Sequence, residues 1–136
     1  MPKAELDTNV FVSGLRIKNG KPARIIDLWR EEYFQLVASD KIFEEYLSVL
    51  SRPVLKIDIA DVKAITHYIN LKAEIVQPRQ KIRVIKDDPS DDKFVECAAA
   101  AKADFIVSGD KHLLTLGAFG DIKIVSVSEF LETIAR

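Results

Sequence analysis

The run Lys3-Ala4-Glu5-Leu6-Asp7-Thr8-Asn9-Val10-Phe11-Val12-Ser13 decides the fold. It reads as a short buried strand that hands over to a helix at Asp7, and open α/β sheets place their ligand crevice at the carboxyl ends of such strands. The pattern returns at Phe105-Ile106-Val107-Ser108-Gly109-Asp110-Lys111-His112-Leu113-Leu114, a second apolar strand ending in an acid that opens a helix. Two acids from opposite ends of the chain thus arrive at strand ends, as half of a metal site would.

Between and beyond these segments, strand and helix patterns alternate. Strands are predicted at Ala4 to Leu6, Phe34 to Ala38, Asp104 to Val107 and Ile122 to Val125, with a weaker one at either Glu74 to Val76 or Ile82 to Ile85. Helices are predicted at Pro22 to Glu32, Asp40 to Ser51, Ile59 to Ala73, Asp91 to Lys102 and Val127 to Ile134. The alternation implies an α/β fold of three layers, with a central parallel sheet of four to five strands covered on both faces. Ser126 and Glu129 have capping-box spacing, Pro53 ends the helix before it, Asn19-Gly20 marks a turn, and Ser90 offers a cap after the loop Lys86 to Ser90.

The 136 residues suit one domain spanning 1–136, and the net charge of -1 with pI near 6.1 supplies no global basic field. Nucleic-acid binding would have to use local patches or a bridging metal. One cysteine forbids an internal disulfide, and the apolar runs are too short for a signal peptide or membrane span, so a reducing cytoplasm is the expected compartment.

Helix phase sorts the remaining acids, since successive side chains turn by about 100°. In the helix from Asp91, the stripe Phe94, Cys97, Ala98 and Ala101 is the buried face. Asp91 lies roughly 70° from its middle and Asp92 nearly opposite, so Asp91 is the inward candidate. In the helix from Asp40, Phe43, Tyr46, Leu47 and Leu50 face the core. Glu45 borders that face and Glu44 lies further toward water, by only about 25°. Asp7, Glu45, Asp91 and Asp110 are therefore the candidate site. Each has an ordinary explanation: Asp7 and Asp110 as helix N-caps, Glu45 as a surface acid, and Asp87 to Asp92 as a solvated turn.

Four converging carboxylates need neutralising, because two of them about 5 Å apart repel by roughly 3 kcal/mol even at an effective dielectric near 20. Oxygen-only ligands select Mg²⁺ or Mn²⁺ over zinc. With such ions, a water can be activated for in-line attack on a phosphodiester.

The ordered set Asp7-Thr8-Asn9-Val10, Glu45-Tyr46 with Val49-Leu50, Asp88-Pro89-Ser90-Asp91-Asp92-Lys93-Phe94 and Ser108-Gly109-Asp110-Lys111-His112-Leu113-Leu114 resembles the PIN-domain family over essentially the whole chain. It looks most like the single-domain prokaryotic members classed as toxins of toxin-antitoxin pairs. The resemblance implies a metal-dependent endoribonuclease acting on RNA. Asp7, Asp91 and Asp110 would be metal ligands, Glu45 would complete the quartet, and Asn9 and Ser108 would orient the site. Asp88 or Asp92 can replace or assist Asp91. It also implies a cognate antitoxin as partner and a homodimer or higher homo-oligomer.

The remaining conspicuous residues have plainer readings. Cys97 is a core cysteine, Trp29 with Ile25, Ile26 and Tyr33 makes a helix-packing face, and His67 and His112 lack ligand-spaced partners. The basic cluster Arg16, Lys18, Lys21 and Arg24 is a candidate RNA contact near the Asp7 edge. Rival functions are a haloacid-dehalogenase-like phosphatase, which needs an Asp where Asn9 stands, a receiver domain, whose paired acids are absent, and a PIN fold that binds RNA or protein without catalysis.

Overall fold

The computed structural model describes residues 1–134. In chain order the elements are β1 (Lys3–Leu6), α1 (Thr8–Arg16), α2 (Lys21–Arg30), β2 (Gln35–Ser39), α3 (Asp40–Leu50), α4 (Ile59–Lys72) and β3 (Glu74–Val76). They continue with α5 (Asp92–Ala101), β4 (Phe105–Val107), α6 (Lys111–Leu116), β5 (Ala118–Phe119), β6 (Ile122–Val125) and α7 (Val127–Ile134). Short 3₁₀ turns, Pro53–Leu55 and Pro89–Asp91, each begin at a proline.

The sheet order is β3-β2-β1-β4-β6-β5, parallel throughout except for the two-residue β5, which pairs antiparallel with β6. Five parallel strands match the expected sheet. β5 is an addition that periodicity could not register, being two residues long beside the turn at Gly120, which has φ of 57°. Of the two alternatives for the weak strand, Glu74–Val76 is the one that pairs. Chain order reverses between β1 and β4, so the crevice at the sheet's carboxyl edge lies between the strands that end at Asp7 and Ser108.

Helices cover both faces around one continuous apolar core. α1 packs on α2 and α3, α2 on α7, and α5 across β1 to β4. The α1–α2 approach is close at Gly14, where a Cβ would stand 2.5 Å from Ile26 Cγ1 and 2.7 Å from the Pro22 carbonyl oxygen. Only hydrogen fits there, which holds α1 in the position that aims its first turn at the crevice. Phe11 of α1 stacks on Tyr46 of α3, with ring centroids 4.1 Å apart, and the Tyr46 hydroxyl donates to the Leu6 carbonyl. Those contacts seat α3, and with it Glu45, beside the end of β1.

Several local expectations hold. Ser126 and Glu129 exchange the two capping-box bonds, at 3.1 and 3.2 Å. Asn19 takes a left-handed φ of 67° in the expected turn. Phe94, Cys97, Ala98 and Ala101 are all buried, as are Trp29, Ile25 and Ile26, while Tyr33 is half exposed. Two expectations are corrected. Ser90 does not cap α5: its hydroxyl donates to Asp88 Oδ1 at 2.5 Å, and a 3₁₀ turn starts the helix instead. Asp92 does not face water; it is 8% exposed, because residues 82–85 fold over that flank of α5 and donate two backbone N–H groups to it.

Candidate active site

A cavity of about 210 Å³ opens at the β1/β4 edge, lined by Asp7, Glu45, Asp91 and Asp110 together with Asn9 and Arg52. Each acid arrives by a different route. Asp7 leaves β1 as the N-cap of α1, its Oδ1 accepting the Val10 N–H at 2.8 Å. Asp110 caps α6, accepting from the His112 N–H at 2.7 Å. The cap explanation for these two residues is therefore true, and it fixes the carboxylates at the cavity wall. Asp91 closes the 3₁₀ turn before α5, and Glu45 projects from the second turn of α3.

Ser108 ties two walls together. Its buried hydroxyl donates to Asp7 Oδ2 and accepts the Asp110 backbone N–H at 2.9 Å, while the Gly109 N–H reaches Asp7 Oδ2 at 3.3 Å. Asn9 stands exposed among the cavity's lining residues. Thr8, one residue earlier, donates its hydroxyl to Glu45 Oε2, and Lys93 pairs with Glu45 Oε1 at 2.8 Å. Thr8, Lys93 and Arg52 had no role from periodicity, since an ion pair between α3 and α5 exists only once both helices pack. A fourth omission is Glu5, fully buried on β1. Burial, with Asp7 nearby, drives its carboxyl well above its ordinary value and favours the neutral acid against Cys97. An acid amid an apolar strand was the available signal.

Asp88, Asp91 and Asp110 form a cluster, each offering a carboxylate oxygen within 4.8 Å of the others. Asp88 thus stands in the position between alternatives that the sequence left open. Asp92 points the other way, into the 82–85 segment, and is absent from the cavity lining. Lys18, Lys21 and Arg24 are not brought to the cavity either: α1 carries the chain away from Asp7 over about 13 Å before reaching them, and Lys21 Nζ donates to Ser128 of α7.

Crowding leaves its mark on the carboxyl groups. Burial, reinforced by Asp110 and Asp88, raises Asp91 to about 6. Asp7 is raised by burial and by Asp110, against the hydrogen bonds from Ser108, Val10 and Gly109. Glu45 differs: burial pushes it up, but Lys93 and Thr8 prevail and hold it below its ordinary value. Asp91 Oδ2 is buried with no hydrogen-bond partner. An orphaned carboxylate oxygen amid two more acids, with oxygen donors only, fits a hard divalent cation.

A pH effect follows. Between the ordinary carboxyl range, about 4, and its raised value of about 6, folded Asp91 keeps a proton that the unfolded chain has released. Its contribution to metal-free stability is therefore complete below about pH 4 and lost as pH rises through about 6. Melting temperatures in chelator from pH 4 to 7.5 should show this slope in the wild type and a flatter one in Asp91→Asn. Parallel curves would refute the assignment.

Comparison with known sequences agrees with this geometry. A family model described as the PIN domain matches residues 3–112, a span that includes all four acids lining the cavity. An uncharacterized protein of Methanocaldococcus jannaschii, MJ1680, is 35% identical over 118 residues, covering 84% of this chain and 74% of its own length. PIN domains are generally nucleases and typically use divalent metals. Among the described residues no helix is long and apolar enough to cross a membrane. With β1 and β4 delivering acids to one crevice and the family model spanning both, the chain belongs to the PIN-domain family.

Proposed function

We propose that the protein is a Mg²⁺- or Mn²⁺-dependent endoribonuclease that hydrolyses phosphodiester bonds in single-stranded or looped RNA. The observation that carries this reading is the cluster of Asp88, Asp91 and Asp110, two of whose members, Asp91 and Asp110, line one cavity with Asp7 and Glu45. Asp91 and Asp110 would hold the ion, with Asp7 and Asp88 completing its surroundings. When bound, the cation supplies positive charge for the phosphate and acidity for a nucleophilic water.

The chain's own residues do the rest. Ser108 locks Asp7 and Asp110 into one arrangement, and the two N-cap bonds keep both carboxylates from swinging away. Glu45, held ionised by Lys93 and Thr8, is a fixed negative charge and a poor store for protons. Arg52 on the cavity rim is placed to meet a phosphate oxygen. Water attacks phosphorus, the P–O3′ bond breaks, the 3′ oxygen takes up a proton, and the attacking water's proton passes to solvent. The products carry a 5′-phosphate and a 3′-hydroxyl.

The metal-free alternative uses the RNA 2′-hydroxyl and needs a His or Lys pair. Among the described residues no His or Lys lines the cavity, and the nearby Lys93 is committed to Glu45. The phosphatase reading fares worse. It requires Asp7 as a free nucleophile, yet both Asp7 oxygens accept hydrogen bonds, and Asn9 replaces the needed second acid.

Purified protein incubated with end-labelled RNA and Mn²⁺ tests the proposal. Expected are cleavage that stops in chelator and products that a 5′-phosphate-dependent exonuclease degrades. A 2′,3′-cyclic phosphate product, or cleavage that survives both chelator and Asp110→Asn, would overturn it. RNA binding without cleavage would leave the non-catalytic module. A toxin role with a cognate antitoxin and a homo-oligomeric state belong to the same proposal, supported by the motif resemblance, as do a single domain, supported by the length, and a cytoplasmic location, supported by the lone cysteine. A small reading frame beside the gene would favour the toxin role over RNA processing.

A further inference from the structure

Beside the acidic cavity runs a groove of opposite charge. Residues 77–86 read Gln-Pro-Arg-Gln-Lys-Ile-Arg-Val-Ile-Lys, with four cations and no acid, in a chain whose net charge is -1. The segment carries neither helix nor strand and is laid as a ribbon along α5. Ile82 and Ile85 are buried beneath it; the Ile82 N–H donates to Glu96 Oε2 at 3.0 Å, and the Val84 and Ile85 N–H groups donate to Asp92 Oδ1 at 3.0 and 2.8 Å. Burying Ile82 leaves its neighbours Lys81 and Arg83 exposed.

Two adjoining cavities of about 270 and 550 Å³ follow this ribbon, sharing Lys41, Lys81, Lys93 and Glu96. Together they are lined by six cations, Lys41, Arg79, Lys81, Arg83, Lys86 and Lys93, against three acids, Asp40, Asp92 and Glu96. Asp92 and Glu96 already serve the ribbon's backbone N–H groups. At the inner end Lys93 pairs with Glu45, so the cationic groove joins the acidic cavity at one residue.

We infer that this groove carries the phosphate backbone of a single nucleic-acid strand to and from the acidic cavity. A row of cations beside a cluster of acids suits a ligand whose repeating phosphates are neutralised along the groove while one of them enters the cavity. Duplex is disfavoured, because Asp7 and Asp91 are buried, at 4% and 9% exposed, within a cavity of about 210 Å³. No aromatic side chain lines the two groove cavities among the described residues, so the groove grips phosphates and offers no stacking platform for bases. The inference deepens the nuclease reading and rests on it for its direction, but its binding term is separable from catalysis.

Fluorescence anisotropy with a labelled single-stranded RNA 12-mer, in chelator so that no metal-dependent cleavage occurs, tests it. Lys81→Gln/Arg83→Gln should weaken binding about tenfold and lower the salt slope of log K by about 1.4, two phosphate contacts at about 0.7 each. Lys63→Gln/Lys123→Gln makes the same change in net charge at exposed residues that line neither the groove nor the acidic cavity, and should alter affinity less than about twofold. Both pairs lie on exposed side chains, and unchanged melting curves would confirm that the variants are folded. Unchanged binding in the groove pair, or equal losses in both pairs, would overturn the inference and leave the ribbon to an acidic polypeptide or to no partner. The two proposals fail separately. A groove pair that binds weakly beside a wild type that cuts nothing would sink the nuclease and keep the groove, whereas normal binding beside metal-dependent cutting would do the reverse.

Discussion

Asp110→Asn is expected to cut RNA cleavage by at least about 10²-fold, the scale of losing one group from an electrostatic centre, while raising the stability of the metal-free protein. The opposite signs share one cause. A carboxylate oxygen of Asp110 lies within 4.8 Å of one from Asp88 and one from Asp91, and its negative charge adds to the burial that raises both Asp91 and Asp7. Removing its charge should stabilise the protein in chelator by about 1 kcal/mol, roughly 3–5 °C in a chain of this size. Asparagine is the right probe because it caps a helix about as well as aspartate, so the bond to the His112 N–H is kept. Alanine would remove charge and cap together and blur the result. Thermal melts in chelator, run beside the cleavage assay, decide the matter. A variant that melts well below the wild type would show Asp110 to be chiefly structural, and retained cleavage would remove it from the site.

Asp92→Ala should do the reverse, losing about 3 kcal/mol of stability. One oxygen of this buried carboxylate accepts two backbone N–H groups, from Val84 and Ile85, and no water reaches Ile85 freely to replace it. Bonds to an ionised acceptor are worth about 1.5–3 kcal/mol each, and alanine leaves both donors unmet. Asp92→Asn keeps an accepting oxygen and should lose less than half as much. Urea unfolding measures the difference, and limited proteolysis should find the 82–86 segment cut faster in the alanine variant. Equal stability of Asp92→Ala and the wild type would mean that burial of Ile82 and Ile85 and the Glu96 bond suffice to hold the ribbon. Neighbouring acids, Asp91 and Asp92, are thus expected to respond oppositely to neutralisation.

Much of the architecture was legible because it is local. β1, β2, β4 and β6 are apolar runs, the stripe Phe94, Cys97, Ala98 and Ala101 repeats at helical spacing, and Ser126 with Glu129 form a cap that needs only four consecutive residues. The position of Asp7 and Asp110 at the crevice was legible for the same reason, since an acid where a strand gives way to a helix is a sequence pattern with a position in the fold. Phase also separated Glu44, which is exposed, from Glu45, which lines the cavity.

Phase failed at Asp92 because it describes a helix in isolation. The flank that the helical wheel assigns to water is covered by a ribbon whose course periodicity leaves ambiguous between strand and loop. The basic cluster near Asp7 in sequence is distant in space, because α1 intervenes, whereas Arg83, distant in sequence from Glu45, lies along the groove that Lys93 joins to it. By itself, then, the sequence determined the parallel α/β fold, the edge where the crevice forms and the acids carried there by strand ends. Tertiary structure alone decided that Asp88 joins Asp91 and Asp110, that Lys93 and Thr8 keep Glu45 ionised, and that cations line one side of the site. Those outcomes depend on distances between separately folded elements, and packing sets such distances, which no local spacing encodes.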